Sequence, residues 1–251
     1  MTPLLQTEPN ISYPHSDGQP MADNTEQYRW IVIIKENLEI LFAAVANVFI
    51  AGDLFWYPVQ GKNKIKNAPD VMVVFGRPRG KRLSYKQWEE GNIGPQVTFE
   101  IRSPSNTAKE IRDKFEFYQQ HGVEEYYLYD PETLALQGWR RQGQQLEAIP
   151  KMDGWVSPRL GIRFVMAEED LEIYGPDGRK FLTSVELERE RQQAEQRVRD
   201  AESQLVQEQQ LRAQEQQLRA EAAQRVEQER QRVEQLKEQL RALGIDPSKI
   251  E

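Results

Sequence analysis

The segment PDVMVVFG at residues 69–76 narrows the choice of folds more than any other part of the chain. In an extended strand Val71, Val73 and Phe75 point to one side, and Met72 and Val74 point to the other. A strand that is apolar on both sides has to be covered on both sides, as the central strands of α/β sheets are. The chain must therefore supply neighbouring strands and helices for it.

Two segments carry the apolar spacing of amphipathic helices. The first begins at Asn24 or Thr25, either of which can cap it. Its apolar residues are Trp30, Ile31, Ile34, Leu38, Leu41 and Phe42. The second lies in SPSNTAKEIRDKFEFYQQHG, with Ser105 or Asn106 as the expected cap and Gly122 as the expected stop. Its apolar face consists of Ile111, Phe115 and Tyr118.

Four segments rich in β-branched and aromatic residues predict the strands of one sheet. They are NVFIAGDLFWYPV, PDVMVVFG, QVTFEIRS and VEEYYLYDP, and the second helix lies between the last two. LALQGWRRQGQQLEAIP then predicts a hairpin with its turn at Gln142-Gly143. Strands followed by a helix and a further strand predict an α/β fold, in which a mixed sheet is flanked by helices and contains a crossover helix.

The composition changes near residue 184. No glycine lies between Gly178 and Gly244, which predicts one long helix. Its heptads have two interpretations. In one, the a and d positions form a coiled coil that joins two copies of the chain as a homo-oligomer, a dimer. These positions are Val226, Val233, Leu236, Leu240 and Leu243. In the other, the helix is single and solvated, because the upstream heptads do not keep one register.

The predicted divisions of the chain follow from these patterns. They are a disordered leader at 1–24, a folded α/β domain at 25–183, a long helix at 184–243 and a flexible tail at 244–251.

Composition excludes several classes of protein. The net charge of −7 argues against a surface coated in positive charge, although one local basic groove is compatible with it. The absence of cysteine excludes disulfides and thiolate sites and fits a reducing cytoplasm. No apolar run is long enough to span a membrane, and MTPLLQTEPN lacks the pattern of a signal peptide. We therefore expect a cytoplasmic protein without a membrane partner.

Glu100, in the third strand segment, has two interpretations. Because polar and apolar residues alternate there, its side chain could simply face solvent. Asp70 favours another interpretation. It opens a buried strand, where a carboxylate needs a partner. If Asp70 is not merely the cap of a turn after Pro69, the two acids can converge on one hard cation. Mg²⁺ is the first candidate and Mn²⁺ the second.

Three residues are candidates for roles beside this pair. Lys114 follows Glu100 in the next helix and could orient a metal-bound water, although a surface pair with Glu110 would also explain it. Arg102 is a candidate accessory cation. Asp53 lies near a strand end and is a further candidate ligand, with a turn residue as the alternative.

Positive charge is concentrated in two loops on either side of Asp70. Their bases are Lys62, Lys64, Lys66, Arg77, Arg79, Lys81 and Arg82. In an acidic chain this arrangement is what contact with a phosphate backbone requires. Solvated loops that aid solubility are the alternative.

Four motifs occur in the order PDVMVVFG, FEIRSPSN, KEIRDKFEFYQQHGVEEYYLYDPE and GWVSPRLGIRF. In their order and spacing they resemble the Uma-type family of "putative restriction endonucleases", which is abundant in cyanobacteria and belongs to the PD-(D/E)xK nuclease superfamily. The resemblance covers residues 27–181. It implies a restriction-endonuclease-like mixed sheet, which is followed here by the long C-terminal helix or coiled coil.

The resemblance also implies a site and a reaction. The family's metal-binding acids match Asp70 and Glu100, and its helical lysine matches Lys114. The implied reaction is Mg²⁺-dependent hydrolysis of DNA phosphodiester bonds. In it, the two acids and the backbone carbonyl of Ile101 hold the ion, and Lys114 positions or deprotonates a water.

The chain departs from the family pattern in two places. Arg102 stands where the superfamily strand has lysine, and arginine stays charged and cannot act as a base. MADNTEQYRW lacks the acid- and glycine-containing segment and the histidine of many members, so the superfamily's helical acid would be Glu36 or Glu39. These departures support an alternative, a catalytically weak or inactive nuclease-fold module that binds DNA or assembles through its coiled coil.

Overall fold

The computed structural model describes residues 11–16, 18, 22 and 24–244. The chain forms two compact units that divide between Leu187 and Glu188. The predicted leader and tail lie largely outside the described residues.

The described elements begin and end as follows. The strands are β1 (Val48–Gly52), β2 (Trp56–Tyr57), β3 (Val71–Phe75), β4 (Tyr85–Lys86), β5 (Val97–Ile101), β6 (Glu125–Asp130), β7 (Ala135–Gln142), β8 (Gln145–Ala148), β9 (Arg163–Met166) and β10 (Leu171–Tyr174). The helices are α1 (Thr25–Leu41), α2 (Ala108–Gln120) and α3 (Ser184–Ala242), and a short 3-10 helix spans Gln87–Glu90.

Six strands form one mixed sheet in the order β1-β3-β5-β6-β7-β8. β5 and β6 run parallel, with α2 as the crossover between them, and the other neighbouring pairs are antiparallel. In β3 the residues Val71–Val74 are buried, as the two-sided apolar pattern predicts. The predicted α/β fold with a mixed sheet is confirmed.

Each face of the sheet has its own hydrophobic core. On one face α1 packs through Trp30, Ile34 and Leu38 against the odd-numbered residues of β3 and β5. On the other face α2 packs through Tyr118 against Met72 and Val74 of β3. The Asn24 side chain caps α1 by accepting a hydrogen bond from the backbone N–H of Gln27 at 2.8 Å. Glu100 belongs to the α2 face because β5 alternates.

Two local predictions were wrong. The cap of α2 is Thr107, whose hydroxyl accepts from the Glu110 N–H while the Glu110 carboxylate accepts from the Thr107 N–H. Asn106 does not cap the helix, because its side chain accepts from the Ser103 N–H at 2.9 Å. The first strand segment is also divided in two, because Asp53 adopts a positive φ of 45° between β1 and β2.

Residues 11–16 differ from the predicted disordered leader. The Tyr13 ring lies 5.2 Å from that of Tyr57 and 5.0 Å from that of Trp88. The Tyr57 hydroxyl donates to the Pro14 carbonyl at 2.5 Å. This part of the N-terminal segment is therefore packed on the folded domain through aromatic contacts.

The second unit consists of most of α3, and the predicted long C-terminal helix is confirmed. None of the 59 residues of α3 is buried, so packing among the described residues contributes little to the stability of this helix. Its exposed apolar residues include Leu205, Leu218, Val226 and Leu236. Among the helices of the described part, none is both long and apolar enough to cross a membrane.

Candidate metal centre

Asp70 and Glu100 lie opposite each other on neighbouring strands. Asp70 directly precedes β3, and Glu100 is the fourth residue of β5. The antiparallel register pairs Val71 with Phe99, so one further residue sets Asp70 opposite Glu100. Both are buried, with 6% and 4% of their surface exposed. The solvent-facing interpretation of Glu100 is therefore wrong, because α2 covers this side of β5.

Each oxygen of Glu100 has a hydrogen-bond donor from α2. Lys114 Nζ donates to Oε2 at 2.5 Å, and the Tyr118 hydroxyl donates to Oε1. These donors are four residues apart, which places them on one face of the helix. Lys114 therefore does not form the alternative surface pair with Glu110, whose carboxylate belongs to the helix cap. About a third of the Lys114 side chain is exposed, at 32%, so its charge reaches the rim of the centre.

Burial and unequal charge set the protonation of the centre. Burial is the largest cause and raises the pKa of Glu100 to about 7; Lys114 opposes this rise, and the negative charge of Asp70 adds to it. Burial acts to lower the pKa of Lys114, but Glu100 and Asp70 outweigh it and the pKa is raised. Burial also raises the pKa of Tyr118 well above its ordinary value. In this arrangement of charges Lys114 is a charged donor to Glu100.

The backbone of Ile101 connects the two acids to α1. Its N–H donates to Asp70 Oδ2 at 2.6 Å, and its carbonyl accepts from Gln27 Nε2 at 3.1 Å. Sequence reasoning missed Gln27, which comes three residues after the cap of α1 and carries no motif signal. Its contact with the centre can be recognised only in the structure, because its partner Ile101 lies 74 positions away in the sequence.

The candidate acids of α1 lie away from this point. Glu36 and Glu39 follow Gln27 by 9 and 12 residues, which is roughly 13 and 18 Å along the helix axis. Glu39 accepts from Lys35 Nζ at 2.9 Å. The structure thus brings a neutral amide from the first turn of α1 to Ile101, and it does not bring either acid there.

Asp53 lies beside the centre, whereas Arg102 turns to another partner. The backbone N–H of Asp53 donates to the carbonyls of Pro69 and Asp70 at 3.1 and 3.3 Å. Its negative charge is one of the causes that raise the pKa of Lys114, although burial acts in the opposite direction. Arg102 Nη1 forms an ion pair with Asp130 Oδ2 at 2.9 Å, at the end of β6.

A small cavity lies between α2 and the ends of β5 and β6. Glu100, Arg102, Lys114 and Tyr126 are among the residues that line it. It has room for about one water molecule. The Tyr126 hydroxyl is buried, and it has no hydrogen-bond partner among the described residues. Besides the two acids and the lysine, the centre therefore has a tyrosine hydroxyl that could form a hydrogen bond with a water molecule in this cavity.

The predicted phosphate-contacting bases differ in whether they already have partners. Arg77 and Arg82 contact Glu90 at 2.9 and 2.6 Å. Lys66 Nζ lies 3.6 Å from the centre of the Phe55 ring. Three of the bases, Lys62, Lys64 and Lys81, are exposed, and Arg79 is exposed while donating to a backbone carbonyl.

Comparison with known protein families shows to which family the chain belongs. The profile of the Uma2 family, described as "Putative restriction endonuclease", matches residues 5–166. The chain belongs to the Uma2 family. It is also similar to a crystal structure at 1.96 Å resolution of a putative nuclease belonging to DUF820 from Anabaena variabilis ATCC 29413. Identity is 17%, the TM-score is 0.42, and the match covers 57% of this chain and 79% of that chain. No curated protein matches.

The residues of the Uma2 chain fit a hard cation held by few protein ligands. In the described part of the chain no group of three or more His, Cys, Asp or Glu residues could hold a metal ion. Asp70 and Glu100 together supply two carboxylates of like charge, and Mg²⁺ is commonly bound by one or two carboxylates and several waters. The pair fits that donor set, whereas an ion that needs a full cage of protein ligands would not be satisfied.

Proposed function

We propose that this Uma2 protein is a metal-dependent endonuclease that hydrolyses phosphodiester bonds of DNA. The observation that carries the proposal is the pair of buried carboxylates, Asp70 and Glu100, set opposite each other with one lysine beside them. Two buried acids and one lysine leave a net negative charge, which is costly to bury. A divalent cation would compensate that charge.

Each residue of the centre has a separate task in the proposed reaction. Asp70, Glu100 and the Ile101 carbonyl would hold Mg²⁺ or Mn²⁺. The bound ion supplies Lewis acidity toward a phosphoryl oxygen and lowers the pKa of a bound water. Lys114 holds Glu100 in place and presents a positive charge where negative charge develops.

Tyr118 and Gln27 act on the ligands from outside. The Tyr118 hydroxyl orients Glu100, and the Gln27 amide orients the Ile101 carbonyl. Lys114 donates to Glu100 and is placed to position a water or a phosphate oxygen. In this proposal the proton of the attacking water leaves to solvent or to substrate.

The direct test is cleavage of plasmid and single-stranded DNA in Mg²⁺ or Mn²⁺. We expect cleavage by the wild type and its loss in Asp70→Ala and in Glu100→Ala. Asp153→Ala is a matched control, because Asp153 is half exposed and pairs with Lys151 elsewhere on the domain. Cleavage that survives both substitutions in the centre would refute the site.

Arg102 supports a second candidate function, a nuclease-fold module that binds DNA with little or no hydrolysis. The strand lysine of the superfamily pattern is replaced by Arg102, which is paired with Asp130. If this reading holds, titration calorimetry will detect no Mg²⁺ or Mn²⁺ binding and no nucleic acid will be cut. Metal binding that is lost in Glu100→Gln supports the endonuclease instead.

For α3 we propose that two copies of the chain associate through a coiled coil. We also propose that the protein is located in the cytoplasm, which the absence of cysteine fits. All 59 residues of this helix lack burial within one chain, and its a and d positions toward the C-terminus are apolar. Truncation before Ser184 removes 68 of the 251 residues, so the monomer that we expect should show little more than about a third of the full-length dimer's mass in light scattering. A mass of nearly three quarters would mean that the truncated chain is still a dimer, and it would rule out this mode of association.

A further inference from the structure

An open groove runs along β1, the strand at one edge of the six-stranded sheet. One wall is β1 itself, from Phe49 to Gly52. The other wall is the loop that follows β3, from Gly80 to Leu83, and Lys35 of α1 also lines the groove. A neighbouring pocket shares Phe49 and Gly80 and extends the groove to Arg79. The two pockets together line β1 from Val48 to Gly52, which is roughly 13 Å along the strand.

One end of this groove adjoins the carboxylate centre. A Cβ atom placed on Gly52 would lie 3.3 Å from the backbone carbonyl oxygen of Asp70. The next residue, Asp53, donates its N–H to the same oxygen. A chain molecule that followed β1 toward Gly52 would therefore arrive at the segment that carries Asp70.

The charge of the groove is positive in an otherwise acidic protein. Lys35, Arg79 and Lys81 line it, and the acid among its lining residues, Glu39, pairs with Lys35. Arg79 donates to the neutral carbonyl of Phe42, so its charge is not cancelled. Lys81 is exposed and takes part in none of the ion pairs found among the described residues. Fixed positive charge along a groove attracts a polyanion.

The loop that forms the second wall is braced from within. Arg82 reaches back to the carbonyls of Pro78 and Gly80 at 3.0 and 3.3 Å and contacts Glu90. This bracing holds Lys81 and Leu83 in position, so little ordering is needed when a ligand binds. Leu83 is 76% exposed and follows Lys81 and Arg82 on this loop, so an apolar side chain is open to a ligand beside the cations.

We infer that this groove binds the phosphodiester backbone of a nucleic acid strand and leads it to the carboxylate centre. Arg79 and Lys81 contact phosphates, and Leu83 packs against sugars or bases. The inference rests on the proposed nuclease function and names the surface that the substrate uses. It also reassigns the predicted basic loops, because Arg77 and Arg82 serve to brace the loop while Arg79 and Lys81 supply the phosphate contacts.

The experiment measures binding and not cleavage. Fluorescence anisotropy in metal-free buffer with chelator follows a labelled single strand and the corresponding duplex, from about 50 to 200 mM salt. Lys81→Ala is expected to weaken binding and to reduce the slope of log K against log salt by about 1. Lys81→Arg keeps the charge and should retain the slope. Leu83→Ala should weaken binding about fivefold or more at an unchanged slope, because it removes an apolar contact.

The control is Lys151→Ala, since the Lys151 side chain is also exposed, at 77%, but lies outside the groove lining. It should leave affinity and slope unchanged. The groove is refuted if the wild type binds neither probe at low salt, or if Lys81→Ala and Lys151→Ala behave alike. The probe whose slope responds to Lys81 identifies the strand form that the groove takes. If binding depends on Lys81 but no DNA is cleaved in Mg²⁺, the groove is supported and the proposed hydrolysis is rejected. If DNA is cleaved but Lys81→Ala leaves the salt slope unchanged, the hydrolysis is supported and the groove is rejected.

Discussion

Two glutamates of the same domain are shielded from solvent and paired with cations, yet their pKa values move in opposite directions. Glu90 has 14% of its side chain exposed and accepts hydrogen bonds from Arg82 and Arg77. The hydrogen bond from Arg82 is the largest cause and lowers the pKa of Glu90; burial opposes it and Arg77 adds to it. For Glu100, burial prevails over its pair with Lys114 and the pKa is raised.

The balance of charge explains this difference. At Glu90 two arginines face one acid, so the ionised carboxylate is fully compensated. At Glu100 one lysine faces two acids, because Asp70 lies opposite on the next strand. The first cluster stabilises a loop, and the second keeps an uncompensated negative charge in the interior. Such a charge lowers the stability of the protein when no cation is bound. This is expected of a functional site and not of an ion pair that only stabilises the fold.

The largest expected effect is on activity, in Glu100→Gln. The substitution keeps the shape of the side chain and removes the charge that would hold the ion, so cleavage should fall by at least about a hundredfold. Two effects on stability oppose each other. The raised pKa means that ionised Glu100 lowers the stability of the folded state as the pH rises from about 4.5 to about 7, and glutamine removes that effect. The glutamine NH2 group, however, faces one of the two donors, Lys114 or Tyr118, and an unpaired donor lowers stability. In urea unfolding the variant should therefore gain stability relative to the wild type as the pH rises through this range. A variant with full activity, or one whose relative stability falls as the pH rises, would contradict this assignment.

The matched substitution Glu90→Gln should have the opposite profile. It leaves Arg82 and Arg77 without their carboxylate in a partly buried place, which costs about 1–3 kcal/mol in the free energy of unfolding. Urea unfolding measures this loss. The metal affinity of the carboxylate centre, measured by calorimetry, should remain that of the wild type. If Glu90→Gln abolishes metal binding while the protein stays folded, the two clusters are not independent.

Local pattern was sufficient for most of the strands and helices, and it singled out Asp70 and Glu100 as a pair. PDVMVVFG predicted a central strand, and β3 is central and buried. The spacing in α2 predicted that Lys114 follows the Glu100 strand, but sequence alone left open a surface pair with Glu110. The structure shows the contact with Glu100. That choice depends on how α2 lies across the sheet, which residues within one helix do not reveal.

The features that were missed depend on contacts distant in sequence. Glu90 accepts hydrogen bonds from Arg82 and Arg77, which precede it by 8 and 13 residues. It lies in a 3-10 helix with no recognisable motif. Gln27 reaches Ile101 across 74 positions. The basic loops were therefore predicted as one phosphate-contacting set, because sequence shows the charges of a loop but not which of them already have partners.

A smaller effect separates Gln27 from an ordinary buried amide. Gln27→Leu removes the donor to the Ile101 carbonyl and should lower metal affinity about tenfold. Asn37→Leu is the matched control in the same helix, because the Asn37 amide donates to the carbonyls of Ile33 and Leu182 and not to the centre. Calorimetry should show weakened metal binding in the first variant alone, whereas unfolding should show a loss of stability in both. Equal metal affinities in the two variants would show that Gln27 is only structural.

The smallest expected effect is the pH dependence of the Glu90 cluster. Because the pKa of Glu90 is lowered by its arginines, its contribution to stability is fully present above the unfolded-state value near 4.5 and is lost as the pH falls through the folded-state value. The difference in unfolding free energy between the wild type and Glu90→Gln should therefore be constant from about pH 7 to about pH 5 and shrink at lower pH. Other acids titrate in the same range, but they are common to both proteins and cancel in the difference. A difference that grows on acidification would mean that Glu90 is destabilised by its surroundings, as Glu100 is, and the contrast between the two glutamates would disappear.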